Sequence, residues 1–360
     1  MNAPLRILMT ADAVGGVWTY ALELTDALAD RGVRVTLAAM GEPLRADQEA
    51  ELLRSRAEAF HAGPFALEWM PDPWGDVVRA GEWLLHLRDD VQPDLVHLNG
   101  YAHAQLPWGV PVLVVAHSCV LSWFEAVRGS PAPPEWDRYR EVVSAGIAAA
   151  DVLAAPTATM LEEVERFYDP PARRLVIPNG RTPVRQKAVA KEPLVVTCGR
   201  LWDEAKNVEA LVRVAPTLDW QVVLAGDGTS PSVATNLTAV GRLSRPALDR
   251  LLARACIFAL PARYEPFGLA PLEAAGAGCA LVLGDIPSLR EVWGDAAVFV
   301  EPGDDDSLRD ALKRLIADRE LRSNFADRAQ RQAATYTPER MAAAYLDAYS
   351  TLLGPDRLAA

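Results

Sequence analysis

The sequence predicts an α/β protein built from two doubly wound parallel sheets, and three observations predict it. Its 360 residues suit two domains at roughly 150 residues each. Short apolar runs alternate with longer helical patterns along almost the whole chain, as in βα units whose helices cover both faces of a parallel sheet. A polar, proline-flanked stretch at 183–193 interrupts that alternation and reads as a linker.

In the first half, strands are expected at 5–10, 33–39, 94–98, 112–116, 151–155 and 175–177. A helix is expected over 17–30, where Leu22, Leu24 and Leu28 leave Glu23, Asp26 and Asp30 on another face. Residues 41–92 are harder to read, with helices expected through 46–60 and 74–91. After the linker the strand pattern restarts at 194–198, 221–225, 239–241, 256–260, 280–283 and 298–300, and from 306 helical patterns run to about 353. These runs divide the chain into an N-terminal domain over 1–183, a C-terminal domain over 184–336, and a terminal segment, 337–360, whose helix is expected to cross back to the first domain.

Composition excludes several classes. Lys plus Arg number 36 against 48 Asp plus Glu, so the net charge of -12 provides no overall field for nucleic acid. With 50% hydrophobic and 23% charged residues, neither disorder nor a fibrous repeat fits. No apolar run approaches the ~18 residues of a spanning helix, so neither membrane insertion nor a signal peptide is expected. Cys119, Cys198, Cys256 and Cys279 lack any CxxC spacing and read as reduced core thiols of a cytoplasmic protein, with no bound metal expected.

Three strand ends carry candidate chemistry. Gly15 and Gly16 sit between the first strand and the first helix, where backbone can approach a ligand and the helix N-terminus can hold an anion; a plain tight turn is the alternative. The pattern is not GxGxxG and the second strand ends without an acidic residue, which disfavours a nicotinamide dinucleotide. Past the strand at 194–198, Gly199, Arg200 and Lys206 offer a guanidinium fork and a point charge six residues apart, suited to a diphosphate, unless both cations merely pair with Asp203 and Glu204. The third is Glu265-Pro266-Phe267-Gly268-Leu269 followed by Glu273: two carboxylates eight positions apart straddle a strand-to-helix turn. Glu265 can bond a ligand hydroxyl, Phe267, Gly268 and Leu269 can offer backbone N–H groups, and Glu273 can accept two ribose hydroxyls. A turn cap and an exposed carboxylate are the competing reading, weakened by the apolar residues around them.

With these motifs in order, together with His117 after Val112-Leu113-Val114-Val115-Ala116, Pro178-Asn179-Gly180, Gly226-Asp227-Gly228 and Gly241-Arg242-Leu243, the chain resembles the family 4 glycosyltransferases, nucleotide-sugar-dependent enzymes of the two-domain GT-B fold. The resemblance covers nearly the full length. It implies two Rossmann-like domains facing a cleft, with the 183–193 stretch as hinge. It implies that Arg200 and Lys206 hold the donor diphosphate, that Glu265 orients the donor sugar and that Glu273 binds the ribose. His117 would contact the sugar, Arg242 and Leu243 would lie against the base, and Gly15 and Gly16 would approach phosphate or acceptor. The implied reaction is retaining transfer of a sugar from a nucleoside diphosphate to a hydroxyl acceptor by front-face attack, with no separate cofactor. An acceptor on a lipid carrier would bring the protein transiently to the inner membrane face.

Three positions depart from the family pattern. Ala262 stands where Ser is frequent, Arg181 where an apolar residue is common, and Asn207 where Gly is frequent. Two other functions remain open: a non-catalytic nucleotide-sugar-binding protein or partner subunit, and a nucleotide-sugar epimerase of the same fold, for which the Glu265/Glu273 spacing is less usual.

Overall fold

The computed structural model describes residues 4–171, 173–183, 189–228 and 235–354. Part of the expected linker and hinge, 184–188, lies outside the described residues. The chain divides into two compact units. One comprises the described residues of Met1–Glu125, Ser130–Gly180 and Pro338–Ala360; the other comprises those of Ala126–Gly129 and Arg181–Thr337.

The first unit is built on strands β1 (Arg6–Asp12), β2 (Arg34–Met40), β3 (Ala59–Gly63), β4 (Leu95–Leu98), β5 (Val112–Val115), β6 (Val152–Ala155) and β7 (Arg174–Val176). They form one sheet in the order β3-β2-β1-β4-β5-β6-β7, and every pairing is parallel. Ile7, Leu8 and Met9 are all fully buried although successive side chains face opposite sides, because helices cover both faces and both must therefore be apolar.

The second unit repeats the plan with β8 (Glu192–Arg200), β9 (Gln221–Asp227), β10 (Leu237–Gly241), β11 (Ala255–Leu260), β12 (Ala280–Gly284) and β13 (Val298–Val300), in the order β10-β9-β8-β11-β12-β13. Alternate residues feed two cores: Val196, Phe258 and Leu281 pack with Trp293 on one side, while Val195, Ile257 and Val282 pack with Leu312 on the other. Both sheets thus show the doubly wound parallel architecture that the apolar runs predict. In each, the strand order reverses at one point, β1/β4 and β8/β11, and in such sheets ligands bind outside the carboxyl ends of the strands at that point.

One expectation needs correction. The helix expected through 46–60 stops early: the helix is Ala46–Leu52, and β3 follows as an edge strand. Asp26, on the helix Gly16–Ala29, captures the turn between them, accepting from the backbone N–H of Arg56 at 2.7 Å and the Ser55 hydroxyl at 3.1 Å. A tertiary partner for two backbone-competing groups therefore overrides a weak helical pattern.

The last helix, Pro338–Leu353, belongs to the first unit. Its Tyr345 and Tyr349 are fully buried, and Tyr349 Oη lies 2.7 Å from His97 Nδ1 in β4. Among the described residues no helix is long and apolar enough to cross a membrane.

Candidate functional site

In the second unit, chain leaving β8 makes a short 3-10 turn, Glu204–Lys206, capped by the Asp203 carboxylate, which accepts from the Ala205 N–H at 3.0 Å. Arg200 donates to the other Asp203 oxygen at 2.7 Å. Burial pushes the Asp203 pKa up, but Lys206, Arg200 and the hydrogen bonds outweigh it and hold the carboxyl below its ordinary range. Arg200 also lies 5.5 Å over the ring of Trp202, which is exposed.

Asn207 ends the turn with φ of 52°, the left-handed region that Asn tolerates better than other side chains. A position where Gly is frequent in the family thus has, in this chain, a backbone conformation that glycine also adopts readily. Its side chain adds something Gly could not: Nδ2 donates to the carbonyls of Pro261 at 2.9 Å and Pro302 at 2.7 Å. The Arg263 N–H reaches the Ala205 carbonyl at 2.8 Å. The turn after β8 is thereby fastened to the loop after β11.

That fastening places Lys206 Nζ 2.6 Å from Glu265 Oε2, with side chains 16% and 14% exposed. Both side chains are largely withdrawn from water. Ser288 Oγ holds the Glu265 carbonyl at 2.7 Å. Gly268, at φ of 92°, then turns the chain into the helix Leu269–Gly276, whose first N–H groups carry no side-chain cap and whose first turn carries no acidic residue.

Glu273, the second carboxylate of the motif, is 8% exposed and its Oε1 is held by two guanidinium groups: Arg181 Nε at 2.8 Å and Arg245. Arg245 also pairs with Asp249 at 2.7 Å. Sequence reading missed this cluster. Arg181 registers there only as a departure from pattern, and Arg245 carries no signal of its own because its partner is 28 residues away. Burial first, then Glu273, pushes the Cys198 thiol pKa up, while Arg245 and Lys206 pull it down.

Arg242, just past β10, pairs with Asp227 at the end of β9, and Leu243 packs against the apolar core. Gly226 and Gly199 lie so close that a Cβ on Gly226 would stand 1.7 Å from the Gly199 carbonyl oxygen. Glycine is required there because β8 and β9 end in contact.

In the first unit, Gly15 has φ of 77° and precedes the helix Gly16–Ala29, which has neither a side-chain cap nor an acidic first turn. Beside it a pocket opens at the ends of β1, β4 and β5, lined by Asp12, Glu68, Asn99, Tyr101 and His117 among others. Asn99 fixes the tautomer of His117. The Thr10 carbonyl can only accept, so the Asn99 amide nitrogen faces it at 2.6 Å, and Asn99 Oδ1 is left to accept from His117 Nε2 at 2.8 Å. The proton therefore sits on Nε2, and Nδ1 is an acceptor. Burial depresses the His117 pKa to about 3, so the ring is neutral at physiological pH.

His97 is fully buried, between Tyr20 and Tyr349, with its pKa depressed to about 3 by burial and by His117. It belongs to the core. His103 lines the pocket and binds the Val77 carbonyl at 3.0 Å. Glu68 lies in the stretch that sequence reading left opaque; its carboxylate accepts from the N–H groups of Tyr101 at 3.0 Å and Ala102 at 2.7 Å. Burial raises its pKa against those two bonds, which lower it.

Family models match both units in turn. Residues 14–185 match Glycosyltransferase Family 4, and residues 181–332 match Glycosyl transferases group 1. The D-inositol 3-phosphate glycosyltransferase of Xylanimonas cellulosilytica is 27% identical over 97% of this chain and 94% of that protein. The glycogen synthase of Mycobacterium tuberculosis is 28% identical over 87% of this chain and 86% of its own length. Among solved structures, sucrose-phosphate synthase from Thermosynechococcus elongatus superposes with a TM-score of 0.80 at 18% identity, covering 98% of this chain and all of that one. Anabaena Alr3699/HepE in complex with UDP-glucose gives 0.76 at 15% identity over 97% of this chain and 100% of that chain. Matched unit by unit to the two halves of one enzyme architecture, the chain belongs to the family 4 glycosyltransferases and is a glycosyltransferase of the GT-B fold.

Proposed function

We propose that the enzyme takes its sugar from a nucleoside diphosphate donor held by the second unit and passes it, with retention at the anomeric carbon, to a hydroxyl group of an acceptor held by the first. The observation that carries this reading is the Lys206–Glu265 pair at the β8/β11 switch point. It sets a cation suited to a departing phosphate directly beside a carboxylate suited to sugar hydroxyls. A solved structure of the same fold holding UDP-glucose supports a donor of this class.

In this reading Arg200 and Lys206 take up the negative charge that develops on the leaving diphosphate, preorganised by Asp203 and by the turn that Asn207 fastens. Glu265, fixed through its own carbonyl by Ser288, orients the sugar hydroxyls. Glu273 has Oε1 occupied by guanidinium groups and presents Oε2 to the ribose. His117, neutral and protonated on Nε2, offers Nδ1 as an acceptor to a hydroxyl of the bound sugars. The acceptor oxygen attacks the face the diphosphate leaves, and the departing phosphate oxygen takes the acceptor proton, so that no enzymic nucleophile is needed.

Incubation with UDP-, GDP- and ADP-sugars and a panel of hydroxyl acceptors, read by NMR of the new glycosidic linkage, tests this reading. Transfer with the donor's anomeric configuration is expected. An inverted product would overturn the stereochemistry, and binding without transfer or hydrolysis would make the protein a carrier of the nucleotide sugar.

A further inference from the structure

The pocket of the first unit has an electrostatic character that says which acceptors it takes. Among the described residues its lining contains two carboxylates, Asp12 and Glu68, and neither lysine nor arginine. Its histidines, His103 and His117, are both held neutral, their pKa values depressed by burial. The remaining walls include Trp69, an aromatic side chain of the kind that packs on the C–H surface of sugars.

Resting on the transfer reaction proposed above, we infer that this pocket selects acceptors without a phosphate or carboxylate, namely neutral or amine-bearing polyols, with Glu68 as the residue that enforces the selection. Glu68 is suited to that role by how it is held. Its oxygens accept from the Tyr101 and Ala102 N–H groups, so the carboxylate cannot swing away from an approaching anion without leaving two N–H groups unpaired. A phosphate brought within about 5 Å of it, with no cation among the described lining residues to compensate, loses about tenfold or more in affinity. A hydroxyl or ammonium group meets an acceptor instead. The same fold can serve phosphorylated acceptors in relatives, one of which is a D-inositol 3-phosphate glycosyltransferase, so acceptor charge is set by lining residues and not by architecture.

The test uses the full chain and matched pairs: glucose with glucose 6-phosphate, inositol with inositol 3-phosphate, and glucosamine alongside. Binding is read by saturation-transfer NMR in the presence of a nucleoside diphosphate, and turnover by sugar transfer. The unphosphorylated member of each pair is expected to be favoured at least about tenfold. Glu68→Gln, which keeps one oxygen for the N–H groups, should narrow that ratio, and Glu68→Arg should close or reverse it. Equal or better use of the phosphorylated members, binding of neither member, or a ratio unmoved in Glu68→Gln overturns the inference. Titration of nucleoside diphosphate alone separates the two levels: donor binding with the wrong acceptor preference defeats the selection rule only, whereas absent donor binding defeats the transfer reading beneath it.

Discussion

Lys206 donates to Glu265 across 2.6 Å although 59 residues of chain separate them. Neither side chain is more than 16% exposed, so each is the other's partner in a largely buried ion pair. Removing one member leaves the other largely buried without its partner. Lys206→Ala and Glu265→Gln are each expected to lower kcat on the order of a hundredfold or more. The double variant should lose much less than the product of the two, because the second change removes a group already misplaced. Steady-state kinetics on the four proteins checks this.

Glu273 depends on Arg181 and Arg245 in the same way, but at a place where binding, not chemistry, is expected to suffer. Arg181→Ala should raise KM for the donor with a smaller change in kcat, and should lower stability by about 3 kcal/mol by opening a buried pair. Donor titration and urea unfolding measure the two effects separately. Arg181→Lys should restore stability in part and donor binding less, since an ammonium replaces a planar fork.

His97 and His117 titrate near pH 3 in the folded protein and near 6.5 when unfolded. Between those values the unfolded chain binds protons that the native state refuses, so stability falls as pH drops from 6.5 toward 3. Near pH 5 unfolding should take up to about two protons through these rings. Urea midpoints from pH 7 to 5, compared between the wild type and His97→Gln, should show a shallower pH slope in the variant. Nitrogen chemical shifts should report His117 protonated on Nε2 throughout that range.

Asn99 decides that tautomer, and Asn99→Asp should disturb it. A carboxylate cannot donate to the Thr10 carbonyl, and it would favour the imidazolium form of His117. Activity is expected to fall about tenfold or more, with the His117 resonance acquiring a titration above pH 5 that the wild type lacks. An unchanged titration would remove Asn99 from its assigned part.

The βα alternation made both sheets legible because buried parallel strands must be apolar on both faces, and Ile7 to Met9 or Val195 to Val196 cannot be read otherwise. Local motifs likewise pointed to the turns carrying Arg200, Lys206, Glu265 and Glu273. What sequence could not display were partners supplied from afar. Asp26 ends the helix before β3; Arg245 reaches Glu273 from another helix; Glu68 lies 33 residues from the N–H group it accepts from. Asn207 shows the reverse case. Standing where the family frequently has glycine, it adopts a left-handed turn of its own, and its amide stitches two loops together.

The central proposal is that Arg200 and Lys206 grip the diphosphate of an activated sugar. Calorimetric titration of wild type, Arg200→Ala and Lys206→Ala with UDP, GDP and ADP, each beside its nucleoside, measures it directly. One diphosphate should bind the wild type at least about tenfold more tightly than its nucleoside, and either alanine should erase most of that difference. Diphosphate and nucleoside binding alike, or variants that keep the full preference, would contradict it.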